Sequence, residues 1–69
     1  MNKGQLRMLR LIADTIKEAG SQGAPEGVLW AGLMNHFTGL DAFQSYVSAL
    51  ERSGVIRREG QFLLIWNVA

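Results

Sequence analysis

Apolar residues recur with a helical period along the first third of the chain. Stepping residues by ~100°, Leu9, Ile12, Ile16 and Ala19 share one sector, flanked by Met8 and Ala13. Lys3, Arg7, Arg10, Asp14 and Lys17 fall opposite. This predicts an amphipathic helix over Gln5–Ala19, stopped by Gly20. Leu11 is the exception, an apolar residue projecting near the charged sector. Ser21–Gly27 is rich in turn formers and long enough to reverse the chain. A second helix is expected over Pro25–Phe37, with Pro25 in its first turn and Glu26 complementing the helix dipole. Leu29, Trp30, Leu33, Met34 and Phe37 give it an apolar sector too broad for one neighbour. Gly32 costs about 1 kcal/mol in a helix relative to alanine, which points to close approach of another backbone.

After a break at Thr38-Gly39, where either residue can cap, the cleanest period of the chain begins. Leu40, Phe43, Val47 and Leu50 form one stripe with Tyr46 at its edge. Asp41, Gln44, Ser45, Ser48, Glu51 and Arg52 form the other. A third helix over Leu40–Arg52 follows, with Asp41 favouring the dipole and Gly54 as the stop. The period then changes. Val55–Arg58 and Gln61–Trp66 are β-branched or aromatic-rich runs around Glu59-Gly60, a two-residue turn signal. That register pairs Arg58 with Gln61 and Ile56 with Leu63. Ile56, Leu63 and Ile65 then share one face, and Val55, Arg57, Phe62, Leu64 and Trp66 the other.

Composition narrows the chemistry. Sixty-nine residues, 48% hydrophobic, make a single small globular domain spanning 1–69, of a size that gains from a dense core or a partner. With no cysteine, disulfides and thiolate metal sites are excluded. One histidine, His36, sits late in the second helix, where its charge favours the dipole rather than a metal. No phosphate loop, nucleophile–base pair or paired carboxylates appear, so neither an enzyme nor a cofactor or small-molecule substrate is expected. No targeting signal is visible, and the longest apolar run, Phe62–Trp66, is far short of the roughly 20 residues that cross a bilayer. A cytoplasmic protein without membrane contact is the expectation. The net charge of +1 gives little long-range attraction to nucleic acid.

The order of helix, loop, helix, tight turn, helix, Gly-Val-Ile and basic hairpin resembles the winged-helix branch of the helix-turn-helix superfamily. Leu40-Asp41-Ala42-Phe43 and Ala49 through Arg57 carry the likeness. Pro25 through Ala31 looks like the second helix of small bacterial winged-helix proteins. The resemblance implies an α+β fold, a three-helix core followed by a two-stranded antiparallel wing. It also implies a DNA-binding regulator whose third helix enters the major groove and whose wing touches backbone or minor groove. By position, the contacts would come from Gln44, Ser45, Ser48 and Arg52 on the helix, and from Arg57, Arg58 and Gln61 on the wing.

The residue types agree only in part. Glutamine and serine can bond base edges and arginine can reach guanine or phosphate, whereas Asp41 and Glu51 on the same face oppose phosphates. Alternation sends Arg57 and Arg58 to opposite faces, and arginines on a hairpin also guard its edge. Separately, five successive apolar residues leave both hairpin faces apolar, while one face suffices for the core. Either the first helix or the chain ends wrap the second face, or Phe62, Leu64 and Trp66, with Leu11, form a homodimer interface. Two function classes therefore stand: a dimeric DNA-binding regulator, and a winged-helix protein-interaction or assembly module without nucleic-acid contact.

Overall fold

The computed structural model describes residues 2–68. Asn2 starts the first helix, α1 (Lys3–Glu18), through a capping box: its side chain accepts from the Gln5 amide at 2.8 Å, and Gln5 Oε1 accepts from the Asn2 amide at 3.2 Å. The helix thus opens two residues before the periodic stretch. Ile12, Ala13 and Ile16 are buried beneath it. A single helical turn at Gly20–Gln22 carries the chain around.

The next segment departs from expectation. Ala24 and Pro25 form a short strand, β1, rather than the first helical turn, and α2 (Glu26–Leu33) follows. It gives way to a single turn at Met34–His36 instead of running to Phe37. Leu29 and Leu33 are buried, but Met34 faces solvent. Gly32 has open space where a Cβ would stand, so no backbone approaches it.

Helix α3 (Leu40–Ser53) buries Phe43, Val47 and Leu50, while Leu40, at its start, is half in solvent. Gly54, at φ 83°, ends α3 in the left-handed conformation, and the Val55 amide donates back to the Leu50 carbonyl at 3.1 Å. Strands β2 (Ile56–Glu59) and β3 (Leu63–Trp66) then form an antiparallel hairpin. The sheet has three strands rather than two, in the order β1-β3-β2.

The hairpin register also differs. Arg58 lies opposite Leu64 and Ile56 opposite Trp66, a displacement of three positions from the two-residue turn. Gly60, at φ 66°, opens a connection of three residues, Gly60 to Phe62. An odd displacement exchanges the faces of a strand. Leu64 consequently joins Ile56 in the core, both essentially inaccessible, instead of facing outward. Ile65 takes the opposite face and is still buried, with Gly23 packed closely against it. α1 and α3 pack against the hairpin, and the single turn between α1 and α2 packs against β3.

Above the sheet, aromatic rings fill the space between α2 and α3. Phe43, with no exposed surface, lies 5.3 Å from Trp30 and 5.4 Å from Phe37, ring centre to ring centre, and Phe37 lies 5.7 Å from Tyr46. Tilted and edge-on arrangements at these separations are favourable for aromatic quadrupoles.

Candidate nucleic-acid interface

The inward stripe of α3 fixes the orientation of its outward face. With Phe43, Val47 and Leu50 held in the core, Asp41, Gln44, Ser45, Ser48 and Arg52 stand in solvent and together line a shallow depression. Ser45 Oγ donates to the Asp41 carbonyl one turn earlier at 2.9 Å, leaving its lone pairs to accept. Gly39 provides no side-chain cap, so Asp41 carries the favourable charge in the first turn. Ser45 also borders a second, more apolar groove with Gln5, Leu9, Ala42, Tyr46 and Ala49, which places the start of α1 alongside the outward face of α3.

The hairpin arginines have different fates. Arg57 makes an exposed pair with Glu59 at 3.0 Å, both side chains more than half in solvent. Such a pair contributes at most about 1 kcal/mol and opens readily toward a competing ligand. Arg58 is committed inside the molecule. Its Nη1 and Nη2 donate to the two carboxylate oxygens of Glu26 at 3.1 and 3.2 Å. Nε and Nη2 donate to Glu51 at 3.2 and 2.8 Å, and Nη1 donates to the Gln61 carbonyl at 2.5 Å. A guanidinium has five N–H donors, and these five bonds occupy all of them. The bonds to Glu26, and next those to Glu51, hold its pKa above the ordinary arginine value. Arg58 therefore fastens the hairpin to the start of α2 and the last turns of α3, and has no donor left for a phosphate. Only the side chain of Gln61, exposed at the tip, remains beside Arg57 on the outer surface.

This cluster was not visible in the sequence. Glu26 and Glu51 lie 32 and 7 positions from Arg58 and on different elements from it, and both carboxylates have other ordinary uses. Only the hairpin register brings the three together. Replacing Arg58 with alanine is expected to destabilise the fold by about 2–3 kcal/mol, because two partly enclosed carboxylates lose their donors. Chemical denaturation of Arg58→Ala and Arg58→Lys measures this. Lysine, lacking the fork, should recover less than half of the loss, and full recovery would show that charge alone matters.

Charge is thereby redistributed. With Arg58 facing Glu26 and Glu51, and Arg57 facing Glu59, the remaining lysine and arginine side chains among the described residues are Lys3, Arg7, Arg10, Lys17 and Arg52. Four of these five are on α1. Lys17 is partly engaged, its Nζ 5.3 Å from the centre of the Trp66 ring.

The four residues considered for a dimer contact do not form one patch. Leu64 is inside the core. Trp66 is half-buried opposite Ile56, at the open end of the hairpin, and Phe62 is exposed at its closed end. Leu11 packs partly on the core and lies about 120° around α1 from Lys17, which covers Trp66. His36 is exposed in its single turn. Among the described residues no three histidine or carboxylate side chains gather to hold a metal, and no helix is long and apolar enough to cross a membrane. No protein-family model, curated protein or solved structure matches this chain.

Proposed function

We propose that this chain is a winged-helix DNA-binding regulator, with α3 as the recognition helix and the β2–β3 hairpin as the wing. The observation that carries the proposal is the outward face of α3. Gln44, Ser45, Ser48 and Arg52 are presented together in solvent by a helix whose other side is locked in the core. A helix of 14 residues is about 21 Å long and fits a major groove about 12 Å wide. Gln44, Ser45 and Ser48 would meet base edges. Arg52 would reach guanine or phosphate, and Arg57, turning from Glu59, a phosphate. Gln61 extends the contact at the wing tip. Arg58 acts as the positioning residue that sets the wing against α3.

Few phosphate contacts are available to one copy, so binding to a single site would be modest. Two copies on a twofold-related site would strengthen it, which favours a homodimer on DNA. Arg52→Ala is expected to weaken duplex binding about tenfold and to reduce the slope of log K against log salt by about one. Fluorescence anisotropy across a salt series measures both. A slope that stays the same would remove Arg52 from the phosphate contacts.

A protein-interaction or assembly module is the second reading. Its specific support is that both hairpin arginines are paired with carboxylates, which leaves the hairpin itself with little free positive charge. Absence of duplex binding at low salt, together with a stable complex with a protein partner, would favour it.

A further inference from the structure

Phe62, the last residue of the hairpin connection, keeps 67% of its surface in solvent, whereas Phe43 keeps none. The five residues before it, Arg57 to Gln61, are charged, polar or glycine. The ring thus stands exposed at the end of a polar loop.

The backbone under the ring is held from several sides. The Phe62 carbonyl accepts from the Glu26 amide at 2.6 Å. The Gln61 carbonyl accepts from Arg58, and Leu63, next along, lies opposite both Glu59 and Pro25. Little order remains to be imposed on binding, because an aromatic ring on a fixed backbone has only its own side-chain torsions to lose. The guanidinium that holds this loop also binds Glu51 of α3. The tip therefore stands within one side chain's reach of the helix assigned to the major groove.

From this arrangement we infer that Phe62 is an uncharged stacking contact for duplex DNA. Its ring inserts at a base step from the groove neighbouring the one that α3 occupies, meeting the face of the partly unstacked base. Insertion of apolar side chains at base steps, and stacking of rings on bases, are established ways for proteins to hold DNA without using charge. The inference rests on the DNA reading of α3 and gives a role to a side chain which that reading leaves idle.

The test uses the full chain and a fluorescein-labelled duplex of mixed sequence, about 30 base pairs long, titrated across a salt series. Phe62→Ala is expected to weaken binding about tenfold at every salt concentration. The salt slope should not change, because a ring releases no counterions. Phe62→Trp should bind at least as tightly as the parent, and Phe62→Leu should fall between. Equal affinity of Phe62→Ala and parent would overturn the inference. So would a changed slope, which would mean that the loop had moved, or a dimer that dissociates in sedimentation on Phe62→Ala, which would assign the ring to a second copy. If the parent itself fails to bind the duplex at about 50 mM salt, the reading of α3 falls and this one with it. Parent binding with an indifferent Phe62→Ala removes only the stacking contact.

Discussion

Phe43→Ala should leave the domain marginally stable, with a sizeable unfolded fraction at room temperature. Phe43 has no exposed surface and touches the rings of Trp30 and Phe37 at centre-to-centre distances of 5.3 and 5.4 Å. Removing a buried phenyl group costs about 3–5 kcal/mol in lost transfer energy and residual cavity. A domain of this size has a total stability of only about 5 kcal/mol. The change therefore consumes most of what holds the fold. Tryptophan emission reports the outcome, since both Trp30 in the cluster and the half-buried Trp66 should shift to longer wavelength as the chain opens to water. Phe43→Leu keeps much of the volume and should remain folded with a lower denaturation midpoint. An unaltered midpoint in Phe43→Ala would show that the aromatic cluster is not the centre of stability.

Gly23→Ala is expected to be the most damaging glycine substitution, lowering the melting temperature by more than ~10 °C. Gly23 has φ 76° and ψ 179°, a region reserved for glycine, whose occupation by another residue costs about 1–3 kcal/mol. An added Cβ would also lie 2.8 Å from Ile65 Cγ1 and 2.9 Å from the Leu64 carbonyl oxygen. The carbonyl belongs to the central strand and cannot retreat without breaking the sheet. Gly32→Ala is the matching control. Its Cβ would meet nothing, and alanine is favoured over glycine in a helix by about 1 kcal/mol, so that variant should melt higher. Calorimetry of the two variants beside the parent tests both signs. A Gly23→Ala protein as stable as its parent would mean that Gly23 does not pack against Ile65 and Leu64 in solution.

These two glycines mark where local reasoning succeeds and stops. Gly20 and Gly54 end helices in positive-φ conformations, as expected of glycines that follow an apolar period. Gly32 was read as a close approach and is not one. Gly23, which the sequence marks only as one of the turn formers in a chain-reversing loop, is the tightest backbone contact among the described glycines. Nothing within a few residues of either position distinguishes them. The difference lies in which distant strand passes by, and Leu64 and Ile65 are about forty positions away from Gly23.

The candidate site divides in the same manner. The outward set on α3 was legible because helical period is a local property. Once Phe43, Val47 and Leu50 turn inward, Gln44, Ser45, Ser48 and Arg52 have only solvent to face. Arg57, Arg58, Phe62 and Leu64 were not legible to the same degree, because their neighbours depend on strand register. Gly60 opens a loop of three residues instead of two, and that one extra residue exchanges the faces of the strand. Arg58 is carried inward to Glu26 and Glu51, and Leu64 into the core.

Three helices, their inward stripes and a closing hairpin follow from the order of residues alone, because turn chemistry and apolar periodicity act over a few positions. The third strand, the pairing of β3, the cluster around Arg58 and the covering of Ile65 were decided by the packed chain. Each joins groups far apart in sequence, and their geometry exists only after the helices have met the sheet.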